Sequence, residues 1–140
     1  QLRDRYYWSN IRTKSDGLFG DIATDIPEPK NKNIMLQDML QSGTPDRDKH
    51  CCLMEGYIKK NIFDTDQESW EKYIKNRPTG MVTIIKENER LRLVNKIEMC
   101  RLQGFPDNWC DILSDAQAGS LLGDGWTLPI IEHIFGYING

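Results

Sequence analysis

Residues 95–107 read NKIEMCRLQGFPD, and this stretch decides the fold of the last third of the chain. Asn95 followed three residues later by Glu98 is typical of a capping box, in which each side chain accepts a hydrogen bond from the other residue's backbone amide. Gly104, with Pro106 after it, marks a helix end, because glycine adopts the left-handed conformation that closes many helices. The stretch therefore predicts a short helix that ends at a Gly-Phe-Pro turn.

Two more helices are predicted downstream. Ser114 and Gln117 repeat the capping-box spacing, and Gly123 is the predicted end of that second helix. Pro129 suits the first turn of a third helix. The third helix carries one apolar stripe, formed by Ile130, Ile131, Ile134, Phe135 and Ile138. We expect all three helices to pack on one core.

The first forty residues have a weaker pattern. Residues 5–11, RYYWSNI, are rich in aromatic side chains that favour a strand. Residues 12–32 contain glycines, prolines and many charges, which predict a long irregular connection. Apolar residues then recur at helical spacing between Asn33, a possible cap, and Gly43, a stop signal. This region is predicted to be a strand, a connection and a short amphipathic helix.

The middle of the chain predicts a small mixed lobe. Asp66 can cap a helix that carries Trp70 and Tyr73 on one face. Residues 81–85 and 91–94 are apolar and partly β-branched, so they predict two short strands that pair across residues 86–90.

Composition excludes several classes of protein. Apolar residues make up 39% and charged residues 28% of the chain, which is typical of a globular protein. The net charge of −3 leaves only local Lys and Arg patches to contact nucleic acid. No apolar run is long enough to cross a bilayer, so a cytoplasmic protein is expected. The four cysteines lack metal-ligand spacing and are interpreted as reduced thiols without a metal: Cys51, Cys52, Cys100 and Cys110.

Residues 97–107, IEMCRLQGFPD, resemble motif IX of the cytosine-5 DNA methyltransferases. The resemblance implies a structural role for this string. Glu98 is placed to cap its helix, Arg101 to pair with a carboxylate or with carbonyl groups, and the turn to anchor the target-recognition region. The motif residues implied are Gln1 in the first strand and Glu98, Arg101, Gln103, Gly104 and Pro106 here.

Two further stretches resemble motifs of the same family, in the family's order. Residues 121–129, LLGDGWTLP, are similar to motif X, which implies that Asp124, Gly125 and Trp126 lie beside S-adenosylmethionine. Residues 1–8, QLRDRYYW, resemble the motif VIII strand. Alternation along a strand puts Arg3 and Arg5 on one face, and the resemblance implies that this face supports catalysis at a flipped-out cytosine.

The resemblance implies an α/β fold class, seen as α+β in this part: the carboxyl-terminal part of an S-adenosylmethionine-dependent methyltransferase fold with a small mixed recognition lobe. Residues 1–33 would end the catalytic domain, residues 34–90 would form the target-recognition region, and residues 91–140 would carry motifs IX and X. Double-stranded DNA is the implied partner. The candidate DNA-binding side chains are Arg47, Lys49, Lys59, Lys60 and Arg77.

The catalytic Pro-Cys-Gln loop of the family does not occur in the sequence, which begins at Gln1 and has the character of a cut from a larger protein. We therefore expect this chain alone to bind DNA weakly and to methylate nothing. A face built for the missing part should be exposed near Tyr6, Trp8, Ile131 and Phe135, with self-association through it. The alternatives are a non-catalytic methyltransferase-like module that binds DNA or regulates a separate catalytic chain, and an unrelated small α+β protein.

Overall fold

A computed structural model of the chain describes residues 5–53, 68, 83–88 and 90–138. Several predictions fall outside these residues and concern the helix around Trp70, the start of the strand at Met81, and the site candidates Gln1, Arg3, Lys59, Lys60 and Arg77. Within the described residues the elements are two small antiparallel sheets, one 3-10 helix and three α-helices. No helix of this part is long and apolar enough to cross a membrane.

The first element is a β-hairpin. Strands β1 (Thr13–Asp16) and β2 (Asp21–Thr24) pair antiparallel, with Thr13 opposite Thr24 and Asp16 opposite Asp21. The prediction of an irregular connection here was wrong. Gly17 and Gly20 adopt φ values of 76° and 77°, and this left-handed backbone, which is strained for other residues, lets four residues reverse the chain.

Residues 5–11 form no strand in the structure, so that prediction was also wrong for this described part. A strand is stable only when its amide and carbonyl groups pair with a neighbouring strand, and no neighbour pairs with this segment in the described part of the chain. The side chains of Tyr6 and Trp8 are correspondingly 93% and 92% exposed. The aromatic content of the segment predicted strand propensity but could not supply a partner.

The second sheet has the order β3-β4-β5, formed by Thr44–Pro45, Ile85–Glu87 and Arg90–Arg92. The pairing of the last two strands confirms the predicted hairpin, but its bounds were wrong, because β4 and β5 extend into residues 86–90, which were predicted to be the connection, and residues 83–84 and 93–94 are not strand. Asn88 supplies the turn with a φ of 47°. Ile85 and Leu91 are buried, which directs one face of the sheet toward the core.

The predicted amphipathic helix after Asn33 is a single 3-10 turn, η1 (Leu36–Met39). Its cap is Met35 rather than Asn33, whose φ of 51° places it in a turn instead. The helix ends at Met39 with Leu40 as its C-cap, so Gly43 is not its stop as predicted; Gly43 lies in the turn before β3 with a φ of 83°. A Cβ atom on Gly43 would lie 2.7 Å from the side chain of Ile85, so the close approach of β4 requires glycine here.

The three α-helices are α1 (Lys96–Gln103), α2 (Asp115–Asp124) and α3 (Leu128–Phe135). The capping boxes that open α1 and α2 are confirmed. Gly123 does not end α2 as predicted, because α2 continues until Gly125, whose amide donates to the carbonyl of Leu121 at 2.9 Å. Pro129 lies in the first turn of α3, as predicted.

The core lies between α1, α2, η1 and the second sheet. Its fully buried side chains include Ile85, Met99 and Leu122. The expectation that all three helices pack on one core was wrong for α3, because α3 has no buried residue and Phe135 is 53% exposed. The apolar stripe of α3 is only half covered by the described residues.

Candidate functional site

Glu98 is the centre of the most strongly connected polar cluster. It is fully buried, and its carboxylate accepts four hydrogen bonds. Oε1 accepts from the amide of Gln41 and from Nη2 of Arg92, both at 2.9 Å. Oε2 accepts from Nη1 of Arg92 at 2.8 Å and from the amide of Asn95 at 2.9 Å. A buried carboxylate is stable only with such partners, so Glu98 joins three segments of the chain as well as capping α1.

Arg92 provides the charge that balances Glu98. Its guanidinium also donates to the carbonyl of Ser42 at 2.7 Å and, through Nε, to Glu87 at 2.6 Å. The hydrogen bonds to Glu98 raise the pKa of Arg92. The hydrogen bonds from Ser42, and then from Arg92, lower the pKa of Glu87. Sequence reasoning missed Arg92. The one available signal was strand alternation, which puts Arg90 and Arg92 opposite the buried Leu91.

Arg101 pairs with a carboxylate, as predicted. Its Nε and Nη2 donate to the two carboxylate oxygens of Asp107 at 2.7 and 2.6 Å. The Arg101 guanidinium lowers the pKa of Asp107. This bidentate pair closes the Gly-Phe-Pro turn, in which Phe105 stacks on Trp109 with 4.9 Å between ring centroids.

Gln103 connects the end of α1 to the motif X turn. The side chain is fully buried; its Nε2 donates to the carbonyl of Leu122, and its Oε1 accepts from the hydroxyl of Thr127 at 3.1 Å. Gly104 follows with a φ of 84°, and a Cβ atom there would lie 2.4 Å from Cδ of Pro129. Gln103 and Gly104 therefore hold the two ends of residues 122–129, the segment that contains Trp126.

One cavity brings two predicted sites together. It has a volume of about 530 Å³ and is lined by Arg5, Tyr6, Tyr7, Trp8 and Trp126. Trp126 is 57% exposed, so its ring is available to a planar ligand. Asp124 and Gly125 are not among the lining residues, and the Gly125 amide already donates within α2. The cavity therefore offers an exposed aromatic face, whereas the Gly125 amide is not free to bind a carboxylate.

The DNA-binding candidates that the structure describes differ in environment. Arg47 donates from Nε and Nη2 to the adjacent Asp46 at 3.1 and 3.2 Å, and its side chain is 13% exposed. Lys49 is exposed. Lys49 is therefore open to a phosphate group, whereas the charge of Arg47 is balanced within the chain.

His50 and three of the four cysteines, Cys51, Cys100 and Cys110, are buried. Burial lowers the pKa of His50 to about 4. Burial, together with the hydrogen bond to Cys110, raises the pKa of the Cys100 thiol to about 11. None of the four cysteines forms a disulfide. No group of three potential metal ligands occurs in the part of the chain that the structure describes.

The chain has a known relative among the methyltransferases. It is 28% identical over 155 residues to the type II methyltransferase M1.ScrFI of Lactococcus lactis subsp. cremoris. The chain is similar to part of a type II methyltransferase. The alignment covers 96% of this chain but 38% of that methyltransferase, so the chain spans well under half of its relative. The small sheets and helices are consistent with a fragment of a methyltransferase fold. No family model matches the chain, and no solved structure matches it significantly.

Proposed function

We propose that this chain is the carboxyl-terminal, DNA-recognition part of a DNA cytosine-5 methyltransferase. The parent protein, of which the chain is a part, transfers a methyl group from S-adenosylmethionine to carbon 5 of cytosine in double-stranded DNA in the cytoplasm. The similarity to a type II methyltransferase supports a methyltransferase parent. The three stretches that resemble motifs VIII, IX and X support the cytosine-5 class.

One observation carries the proposal: Arg5 and Trp126 line the same cavity although they lie near opposite ends of the sequence. In the family, motif VIII faces the flipped cytosine and motif X lies beside the cofactor. A cavity shared by these two motifs is where the reacting base and the methyl donor would meet. Arg5, with Arg3, would hold the cytosine carbonyl or a phosphate through paired donors.

The residues of this chain would support the reaction rather than perform its covalent step. S-adenosylmethionine, when bound, supplies the methyl group; Trp126 would line its side of the cavity, and Asp124 and Gly125 would lie next to it in the chain. Lys49, Lys59 and Lys60 would contact phosphates, and Arg47 or Arg77 would reach base edges. Residues 1–33, 34–90 and 91–140 would be the end of the catalytic domain, the recognition region and the returning helices.

The chain by itself is proposed to be inactive. The reaction requires a thiolate that adds to carbon 6 of cytosine. Cys51, Cys100 and Cys110 are buried, and a pKa of about 11 keeps the Cys100 thiol protonated at neutral pH. Cys52 is exposed but lacks the Pro-Cys-Gln context. The nucleophile would therefore come from another part of the parent protein.

The test compares this chain with a protein extended through the upstream reading frame. Both are incubated with labelled S-adenosylmethionine and mixed-sequence duplex DNA, and the DNA is digested to nucleosides. We expect 5-methylcytosine from the extended protein alone. A methyl group on an exocyclic nitrogen would overturn the cytosine-5 assignment, and methyl transfer by this chain alone would overturn its supporting role. Inactivity of both, with DNA binding retained, would favour the non-catalytic module.

The cavity itself is tested in the extended protein by Trp126→Ala. We expect a higher KM for S-adenosylmethionine, because an exposed ring that stacks on the cofactor contributes mainly to its binding. Trp109→Ala is the matched control, since Trp109 is equally exposed, at 57%, but its ring stacks on Phe105 and does not line the cavity. An equal effect of both substitutions would contradict the assignment of the cavity.

A further inference from the structure

We infer that Arg92 is a positioning residue for DNA recognition: acting through Glu98, it fixes residues 41–42 of the recognition region on the first turn of α1. The inference rests on the proposed function, since that function gives residues 34–90 their role. Arg92 does not need to touch DNA for this. It acts on the orientation of a segment of the recognition region.

Three hydrogen bonds carry the inference, because each joins residues 41–42 to the start of α1 or to the end of β5. The amide of Gln41 donates to Glu98, and the side-chain carbonyl of Gln41 accepts from Nδ2 of Asn95, both at 2.9 Å. The carbonyl of Ser42 accepts from Arg92 at 2.7 Å. These residues are far apart in sequence, so the contacts set tertiary geometry rather than local structure.

The arrangement tolerates little movement. Glu98 is fully buried and Arg92 has 23% of its side chain exposed, so a shift of residues 41–42 would leave part of a buried charge without its donors. The planar guanidinium is also required. The Arg92 guanidinium donates to both carboxylate oxygens of Glu98, and it also donates through Nε to Glu87 and through Nη2 to the carbonyl of Ser42. A lysine ammonium cannot reproduce this planar arrangement of donors.

The clamped residues lie inside the recognition region, just before strand β3. β3 begins at Thr44, two residues after Ser42, and pairs with β4. β4 in turn pairs with β5, which contains Arg92. The orientation of β3 and β4, which belong to the recognition region, is therefore set by Arg92 and Glu98, and a rotation at Ser42 would be transmitted through β3.

The experiment measures sequence preference rather than stability. Duplexes are first selected from a random-sequence pool with the wild-type chain, and the preference is the ratio of affinities for selected and unselected duplex. Arg92→Lys keeps the positive charge but removes the planar set of donors. Asn95→Ser keeps a side chain that can cap α1, as Ser114 caps α2, but removes the hydrogen bond to the side chain of Gln41. The control is Gln37→Ala, which removes only the local bond from Gln37 to the carbonyl of Gly43.

We expect Arg92→Lys to reduce the preference about tenfold and Asn95→Ser about threefold, as for the loss of a charge-assisted and a neutral hydrogen bond. Gln37→Ala should leave the preference unchanged. All measurements are made well below the melting temperature of each variant. A purely structural role would lower the melting temperature of Arg92→Lys while its preference stayed at the wild-type value.

Two outcomes would overturn the inference: unchanged preference in folded Arg92→Lys or Asn95→Ser, or a wild-type chain with no sequence preference to lose. If Arg92→Lys fails to fold, Asn95→Ser decides, because its cap is preserved. Failure of the proposed function is recognised separately. A preference that depends on Arg92, with no 5-methylcytosine from the extended protein, would keep the positioning role and remove the proposed reaction.

Discussion

Replacement of Gly104 by alanine should destabilise the chain more than the same change at Gly17, Gly20, Gly125 or Gly136. Gly104 has a φ of 84°, where an L residue costs about 1 kcal/mol. The added Cβ would also lie 2.4 and 2.7 Å from Cδ and Cγ of Pro129, and overpacking of this kind costs about 2 kcal/mol more. We therefore expect a loss of about 3 kcal/mol in the free energy of unfolding.

The assay is urea unfolding followed by tryptophan fluorescence and circular dichroism. Gly20→Ala is the matched control, because Gly20 has a φ of 77° but no atom within 4 Å of the added Cβ. Gly20→Ala should lower the free energy of unfolding by about 1 kcal/mol, which is the cost of the left-handed backbone alone. In a double-mutant cycle, Pro129→Ala should recover the packing part of the Gly104→Ala loss. A Gly104→Ala loss no larger than that of Gly20→Ala would refute the close packing of α3 on the end of α1.

Three further outcomes are expected. Burial lowers the pKa of His50 to about 4, so the folded state favours the neutral ring and stability is lost as the pH falls below 6.5. The free energy of unfolding should fall by about 1.5 kcal/mol between pH 6.5 and 5 in the wild-type chain but not in His50→Gln. An identical fall in the variant would exclude His50 as the cause of the pH dependence. Gln103→Leu should lower the free energy of unfolding by about 2 kcal/mol, because it leaves the Leu122 carbonyl without its donor. Thr127→Val, which removes only the hydrogen bond to Oε1 of Gln103, should lower it by less. Equal losses in the two variants would contradict a central role for Gln103. Trp8→Lys should reduce self-association in analytical ultracentrifugation because Trp8 is 92% exposed, whereas unchanged sedimentation would exclude that face as the contact.

Local signals predicted the helical third of the chain well. The capping boxes at Asn95 and Ser114, the left-handed Gly104 and the position of Pro129 all agree with the structure. Each of these signals depends on residues within a few positions of one another, so the sequence contains the whole cause. The hairpin at Gly17 and Gly20 was missed for a related reason, because glycine permits both a tight turn and an irregular loop.

Long-range partners could not be predicted in the same way. Nothing near Glu98 indicates that its carboxylate meets the amide of Gln41, or that Arg92 reaches the carbonyl of Ser42. The aromatic content of residues 5–11 and the apolar stripe of α3 are likewise local features, and the strand that the first one predicted does not form. Their burial depends on what covers them, and for Trp8 and Phe135 the described residues supply little cover.

The pairing of β3 with β4 has a consequence for how such a protein can diversify. Pro45 lies opposite Ile85, so the intervening residues leave and rejoin the frame at neighbouring positions. An excursion with adjacent ends can be lengthened, shortened or exchanged at small entropic cost. Cys51 and Thr83 also lie together, because the Cys51 amide donates to the Thr83 hydroxyl at 3.3 Å, and both are buried. A new binding preference could therefore be grafted between Leu53 and Thr83 while the core, Glu98, Arg92 and the helices that follow remain as they are.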